Sequence, residues 1–520
     1  MVGICIKRKR ETSHGVAAVC TKIVILPSGR VLQLLPNPAD PRDGLGGTAV
    51  MQPVMRFFLV LYCSYGIRLA AALVNRNDHD DHIFNEASYA KNDVLRRDVA
   101  VIGGGSSGTY GAIKLLDLGK SVALVEQAAV LGGHQNTYIE PTTGTPIDYG
   151  VQAYWNISVV RDFFARFDIP ITNYSFEGVS TIYADFKTGQ TLPNLQPPTD
   201  YSAYATQLNK YPELLWSWQL PSPVPEDLLL PFGDFIKKYS LQNIAYSIYL
   251  FSAGIGNILT QLTVNMFKWF DDAYLDGLRG HNIVTAHHNN GELYSKALAE
   301  LGPSALLSST VIAAHRPQTP NSVRLVIQTP TGTKLILASQ LLVSIPPLLS
   351  NMGPFALDAR EFALFSHFTY SAYYNGVVNN TGLAPGTRYI NAGANTTYNI
   401  PDLPAVYSIS PTAVPGIFLY WLGSPVDMSR DQVEAMMADT VRKLTNVTMG
   451  SGDFVAWSSH TPFKLVVSAE EIAGGFYDRW DQLQGYKNTW YTGAAIHSHG
   501  SGGLWNFTQA LLPRIAEMVG

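Results

Sequence analysis

Cysteine is scarce in this chain of 520 residues: there are three, Cys5, Cys20 and Cys63, and none downstream. Everything after residue 63 therefore lacks disulfides, thiolate metal sites, sulfur nucleophiles and a cysteinyl attachment point. Charge is also scarce, at 15% of residues against the roughly 25% usual for soluble domains. With 36 basic and 40 acidic residues the net charge is −4, so no basic field exists to hold a polyanion, which argues against nucleic acid as a partner. No apolar run reaches the ~20 residues that a membrane helix needs. What is plentiful is apolar surface: 46% hydrophobic and 11% aromatic residues can bury a large core, which excludes disorder of the whole chain. Single cores stop growing near ~250–300 residues, so two or more packed domains are expected.

Met55-Arg56, the apolar stretch Phe57 to Ile67 and then Leu69-Ala70-Ala71-Ala72 read as a basic start, a short hydrophobic region and a small-residue cleavage site. That is the pattern of a secretory signal over 55–72, with an ordinary apolar segment as the alternative. A Pro/Gly-rich leader, 1–54, precedes it and carries Lys7-Arg8-Lys9-Arg10, a solvated tail or nuclear address in the second reading. Since signals work from the N-terminus, Met51 or Met55 is the expected start. Residues 73–95 read as a linker, in which the two His and three Asp of Asn77 to His82 suit a polar tether better than a metal site. The expected compartment is the secretory lumen or the outside. Sequons stand at Asn156, Asn173, Asn379, Asn395, Asn446 and Asn506, of which the first and last are expected to be buried.

From Asp98 the chain runs through apolar Val99 to Ile102 into Gly103-Gly104-Gly105-Ser106-Ser107-Gly108, then apolar residues at helical spacing to Leu118, then Gly119. A second apolar run, Val122 to Val125, ends in Glu126-Gln127, the acid lying 18 residues past Gly108. Strand, glycine turn, helix, strand and acid in this order form a dinucleotide-binding pattern. Gly103 makes the tight turn, Gly105 lets backbone approach a pyrophosphate, and Gly108 allows close helix packing. Ser106 and Ser107 open the helix whose free N–H groups meet the anion, and Glu126 accepts from ribose hydroxyls. FAD and NAD share this unit.

The next residues separate them. Leu131-Gly132-Gly133-His134 and Pro146-Ile147-Asp148-Tyr149-Gly150-Val151 resemble the flavin amine oxidase superfamily, and are most similar to fungal FAD enzymes of the β-cyclopiazonate dehydrogenase type. Gly291 to Leu301 resembles the helix before the third strand, and Thr310-Val311-Ile312 the strand whose backbone meets the adenine. Val323 to Ile327 and Lys334 to Ile345 resemble the following hairpin, and Thr489 to Ala494 the last strand with its FAD-binding Gly493. The resemblance implies an α/β fold: a Rossmann-like FAD domain assembled from 96–160, 286–350 and 481–520, with a helical and mixed-sheet substrate domain inserted as 161–285 and 351–480. It implies FAD contacts at Gly103, Gly105, Ser106, Ser107, Gly108, Glu126, Gln127, Gly133, His134, Gly150, Val151, Val311, Gly493 and Gly503.

Two departures bear on the activity. Ala494 stands where many amine oxidases have Glu, and Gly500-Ser501-Gly502-Gly503 occupies the stretch of the usual cage aromatic, so a simple primary-amine oxidase is disfavoured. The glycine turn enters a helix over Leu504 to Val519, whose N-terminus would stabilise negative charge at the flavin N1–C2=O edge. In the enzymes this chain resembles, the position of His134 lies beside the isoalloxazine and arginine is usual there. His134 is either a covalent tether to the 8α-methyl or a hydrogen-bonding neighbour. His497 and His499 flank Ser498 and act as acid or base near the flavin, or cap a turn. They lack convergent Asp, Glu or Cys, so no metal is expected.

In the insertions, Ser202 to Leu215, Asp227 to Tyr239 and Gln242 to Phe251 have helical spacing, while Phe368 to Val378 and Val406 to Leu422 alternate as strands do. No second GxGxxG follows a strand, and Gly254-Ile255-Gly256 sits within a helical pattern, which disfavours a reductase with its own NAD(P)H fold. The implied function is oxidation of a C–H bond next to nitrogen in a small alkaloid-like fungal metabolite, by hydride transfer to flavin N5, with or without ring closure. Dioxygen or another acceptor reoxidises the flavin. The alternatives are a secreted amine or amino-acid oxidase making peroxide, and a non-catalytic binder such as the Rab GDP-dissociation inhibitors, which share the fold.

Overall fold

The computed structural model describes residues 82–175 and 178–519, together with the backbone of three strands nearer the N-terminus. Those strands, Val2–Thr12, Gly15–Ile25 and Val31–Gln33, form an antiparallel sheet within the unit Met1–His79. The expected signal at 55–72, the rest of the leader and residues 73–81 lie outside the described residues.

The larger unit, Asp80–Gly520, is organised around a parallel sheet. Strand β1 (Val94–Ile102) leads through the glycine turn into helix α1 (Ser106–Asp117), and β2 (Val122–Val125) returns parallel to β1. Beside β2 lies β3 (Ala305–Leu306). The segment then forms the antiparallel strands β4 (Thr310–His315), β5 (Val323–Thr329) and β6 (Gly332–Val343). One edge of β6 pairs with β1 along residues 335–343; its other edge carries β5 and then, parallel at Leu341 to Val343, β7 (Thr489–Tyr491). Helix α2 (Ser501–Glu517) closes the domain against α1. Val99, Ala100, Val101 and all of β2 are buried, as the unbroken apolar runs of a sheet covered on both faces require.

The second sheet is mixed, in the order Gln190–Thr191, Ser180–Asp185, Thr387–Asn391, Ala405–Pro411, Phe418–Ser424, Ala372–Val378, Phe454–Ser459. Its alternation sorts side chains by face. Tyr374, Val378 and Phe418 pack under the helix Arg430–Thr445, whereas Tyr373 and Tyr407 face the core shared with Phe463. Asn375 Nδ2 donates to Tyr149 O at 2.9 Å and ties this sheet to the segment that follows the short strand Pro146–Asp148.

Several local expectations are corrected. The helical stretch Ser202 to Leu215 is a helix to Leu208 and a separate 3₁₀ turn from Pro212, and Asp227 to Tyr239 divides at Pro231. Proline lacks the N–H that continuation needs. Gln242 to Phe251 is a 3₁₀ turn followed by the helix Ala245–Tyr249. Gly254 and Gly256 are not helical: their φ values of +85° and +89° place them in a turn. The end of the linker is docked rather than loose, with Phe84 buried against Val326 and Leu335. Among the described residues no helix is long and apolar enough to cross a membrane.

Candidate active site

The turn after β1 and the end of β7 meet at Ser344. Its Oγ donates to Ile102 O at 2.9 Å. A Cβ on Gly103 (φ +99°) would fall 2.6 Å from that Oγ, and one on Gly493 (φ +108°) 2.9 Å from Ser344 O. Gly108 is packed harder still, because its Cβ would lie 1.8 Å from Gly103 O. Gly105 differs: its backbone is extended (φ −73°, ψ −168°), and a Cβ there would meet one heavy atom within 4 Å, Gly133 Cα at 3.7 Å. Gly132 N–H donates to Gly104 O at 2.8 Å, so two glycine pairs face one another as bare backbone.

Two helix N-termini open beside this slot. Ser106 Oγ donates to Ser501 Oγ at 3.1 Å, and Trp505 Nε1 donates to Ser106 O at 3.2 Å. The adjacent Ser107 Oγ is buried without a hydrogen-bond partner. Bare backbone, converging positive helix ends and an orphaned hydroxyl fit a pyrophosphate. Helix α2 begins at Ser501, earlier than the glycines suggest. Gly503 lies inside its first turn and makes room for His497, whose Cε1 would stand 2.6 Å from a Cβ there.

Glu126 is buried, with Gly104 N–H donating to Oε2 at 2.6 Å and Ala128 N–H to Oε1 at 2.7 Å. The carboxylate thus braces the turn, while Gln127 is exposed. Glu126 N–H donates to Leu306 O and Ser309 N–H to Glu126 O, both at 2.9 Å. The third parallel strand is therefore 305–306, and Val311 lies in the outer antiparallel strand opposite Ile327.

The hairpin of Thr137–Ile139 and Pro146–Asp148 sets His134. A Cβ on Gly150 would overlap His134 O at 2.0 Å, and Val151 O accepts from Asn290 Nδ2 at 2.9 Å. Asp148 accepts from Gln135 Nε2 and Asn290 N–H, each at 3.0 Å, and burial pushes it up to about 6.

The imidazoles of His134 and His460 stack 4.2 Å apart at 9°, and His499 lies parallel to His134 at 6.5 Å. Phe463 and Trp269 close around His499 at 4.0 and 5.4 Å. Burial pulls His134 down to about 4 and lowers His460 and His499 well below the usual range, so all three are neutral at pH 7. His499 Nε2 donates to Phe463 O at 2.9 Å, which leaves Nδ1 as an unpartnered buried acceptor. The expected pair His497 and His499 is split. His497, 1% exposed, points under α2 toward Phe507, its Nδ1 3.2 Å from Ser498 Oγ.

Sequence reasoning missed His460, Lys464 and Lys268. Lys464 and Lys268 are each 1% exposed, and burial pulls both down. Their signal was a lone charge inside an apolar run, Phe463 to Val467 and Val264 to Phe270. Among the described residues no group of His, Cys, Asp or Glu is arranged to hold a metal.

Fold and site together define an FAD-binding α/β protein of the amine-oxidase architecture. A family model for an NAD(P)-binding Rossmann-like domain matches residues 101–167. The chain is 43% identical over 467 residues to FAD-dependent oxidoreductase pigF of Monascus ruber, covering 88% of this chain and 98% of that protein. It is 34% identical over 434 residues to β-cyclopiazonate dehydrogenase of Aspergillus oryzae, covering 82% and 94%. Among solved structures, a fatty acid isomerase from P. acnes (TM-score 0.64, 16% identity, 80% of this chain and 98% of that one) shares the fold. So does putrescine oxidase (TM-score 0.59, 14%, 82% and 99%). The chain belongs to the fungal FAD-dependent oxidoreductases.

Proposed function

We propose that this enzyme oxidises a C–H bond next to a neutral nitrogen in a small fungal secondary metabolite, with or without ring closure. The observation that carries the reading is the bare-backbone slot between Gly104–Gly105 and Gly132–Gly133, opened on by two helix N-termini and followed directly by His134, whose ring stacks on His460. Bound FAD supplies the two-electron acceptor, and dioxygen or a second acceptor takes the electrons onward. The first turn of α1 holds the pyrophosphate, Glu126 orients the ribose, and the first turn of α2 offers partial positive charge. Phe463, Trp269 and Tyr373 exclude water, and His499 Nδ1 accepts a hydrogen bond from a substrate N–H or O–H.

The amine oxidase alternative fits less well, because a protonated amine would be desolvated near the buried cations Lys464 and Lys268. The nearby Asp271 is itself raised toward its neutral form by burial. Anaerobic titration of the yellow enzyme with alkaloids, phenolic metabolites and amines tests this; bleaching by simple amines alone overturns it.

His134 is proposed as a covalent flavin tether, since its ring is neutral and burial is the only influence on its proton affinity. Acid precipitation that releases all flavin from wild-type protein refutes the link. Entry into the secretory route through 55–72 is likewise a proposal, and native protein whose N-terminus precedes residue 55 and which carries no glycan refutes it. Asn156 is exposed after all, and Asn506 lies partly buried in α2.

A further inference from the structure

Resting on the flavin-site reading, we propose that Lys464 is a specificity residue that pairs with an ionised oxygen acid of the substrate, an enolate, phenolate or carboxylate, and so selects acidic substrates over amines. Lys464 follows Phe463, whose carbonyl accepts the His499 N–H at 2.9 Å, and its charge acts on both His499 and His497, so the lysine lies beside these two rings. It is 1% exposed, and burial is the only influence on its proton affinity, with no carboxylate near enough to raise it. A buried cation without an anion is costly, and the arrangement persists where a ligand completes it.

The groups facing it do not supply that anion. Lys268 spends its ammonium on Leu214 O at 2.6 Å and Ser217 O at 3.2 Å. His497 and His499 are neutral and feel Lys464 as a neighbouring cation. Asp271 lies within the field of Lys268 and does not act on Lys464. The free acceptor at His499 Nδ1 supplies the second contact, to an N–H or O–H adjoining the acid.

The test uses holoenzyme under anaerobic conditions with two probes of one shape and opposite charge, benzoate and benzylamine, followed by perturbation of flavin absorbance. Benzoate is expected to bind at least tenfold tighter than benzylamine at pH 7, and to weaken as Lys464, which burial holds at about 8, loses its proton between pH 7 and 9. Lys464→Met should weaken benzoate at least tenfold and erase the preference, and Lys464→Arg should keep it. Benzylamine binding as tightly as benzoate overturns the proposal with no variant needed. Unchanged benzoate affinity in Lys464→Met, with slowed reoxidation in air, also overturns it by placing the lysine at the flavin. Colourless protein would instead mark failure of the flavin-site reading.

Discussion

Gly105→Ala separates cofactor binding from folding more cleanly than any other change in the glycine turn. Its extended backbone is open to alanine, and the new methyl would touch a single atom at an ordinary 3.7 Å. Flavin-free stability should therefore move by no more than about 0.5 kcal/mol. The same methyl stands where a pyrophosphate must approach the backbone, and overpacking of that order costs about 2–3 kcal/mol, roughly a hundredfold in Kd. Gly108→Ala is the control, because its Cβ would collide with Gly103 O at 1.8 Å, so it should destabilise the flavin-free protein by more than ~1–3 kcal/mol. Urea unfolding of flavin-free protein and FAD titration by fluorescence quenching read the two effects. If Gly105→Ala binds FAD as wild type does, or unfolds as early as Gly108→Ala, the slot is not the cofactor's path.

Glu126→Gln turns one of two buried side-chain acceptors of backbone N–H groups into a donor, so it should cost about 1–3 kcal/mol in flavin-free protein and weaken FAD as well; unchanged urea midpoints would leave Glu126 a purely cofactor-facing group. Asp148 has a folded pKa near 6 against an ordinary 3.8, so the folded state binds the proton more tightly and its contribution to stability falls as pH rises from about 4 through 6. The shift of about 2 units corresponds to about 3 kcal/mol. Asp148→Asn should gain that much relative to wild type between pH 4 and 7, and a pH-independent difference in flavin-free urea unfolding refutes it. His134→Ala is expected to release flavin that survives acid precipitation in wild type. NADH and NADPH should leave the flavin oxidised while substrate bleaches it anaerobically, because the described residues contain one dinucleotide turn; rapid stoichiometric reduction by NADPH would contradict this.

The parts of the site that were legible in the sequence are those carried by a contiguous stretch. Gly103 to Gly108, Glu126 and Gly493 sit in local turns whose spacing alone states the geometry. The third strand was misplaced because Ala305–Leu306 is too short to show any period, and the longer run at 310–315 drew the assignment to itself. The start of α2 was misread because three glycines in four residues have poor helix propensity. There the cause is tertiary: Trp155 and His497 occupy the space that side chains at 500, 502 and 503 would need. His497 and His499 looked like a pair because they are two apart, yet one packs beneath a helix and the other enters the ring cluster.

The ring cluster is assembled from segments that no local pattern connects, His134 from the first domain segment, Trp269 from one insertion, His460 and Phe463 from the other. Its electrostatics follow from that assembly. The helix ends at Ser106 and Ser501 would attract the doubly charged pyrophosphate, and on the proposal above Lys464 would attract a second anion. Two anions in a low-dielectric interior repel, so the space between them must carry no negative charge of its own. The stacked imidazoles meet that condition: burial keeps them neutral, and their ring planes, 4.2 Å apart, fill the gap without adding charge of either sign. A carboxylate at His134 or His460 would add a third anion, and an arginine at His134 would supply Lys464's anion with a competing partner. Neutral rings at these positions are thus what would let one lysine discriminate an acid from an amine.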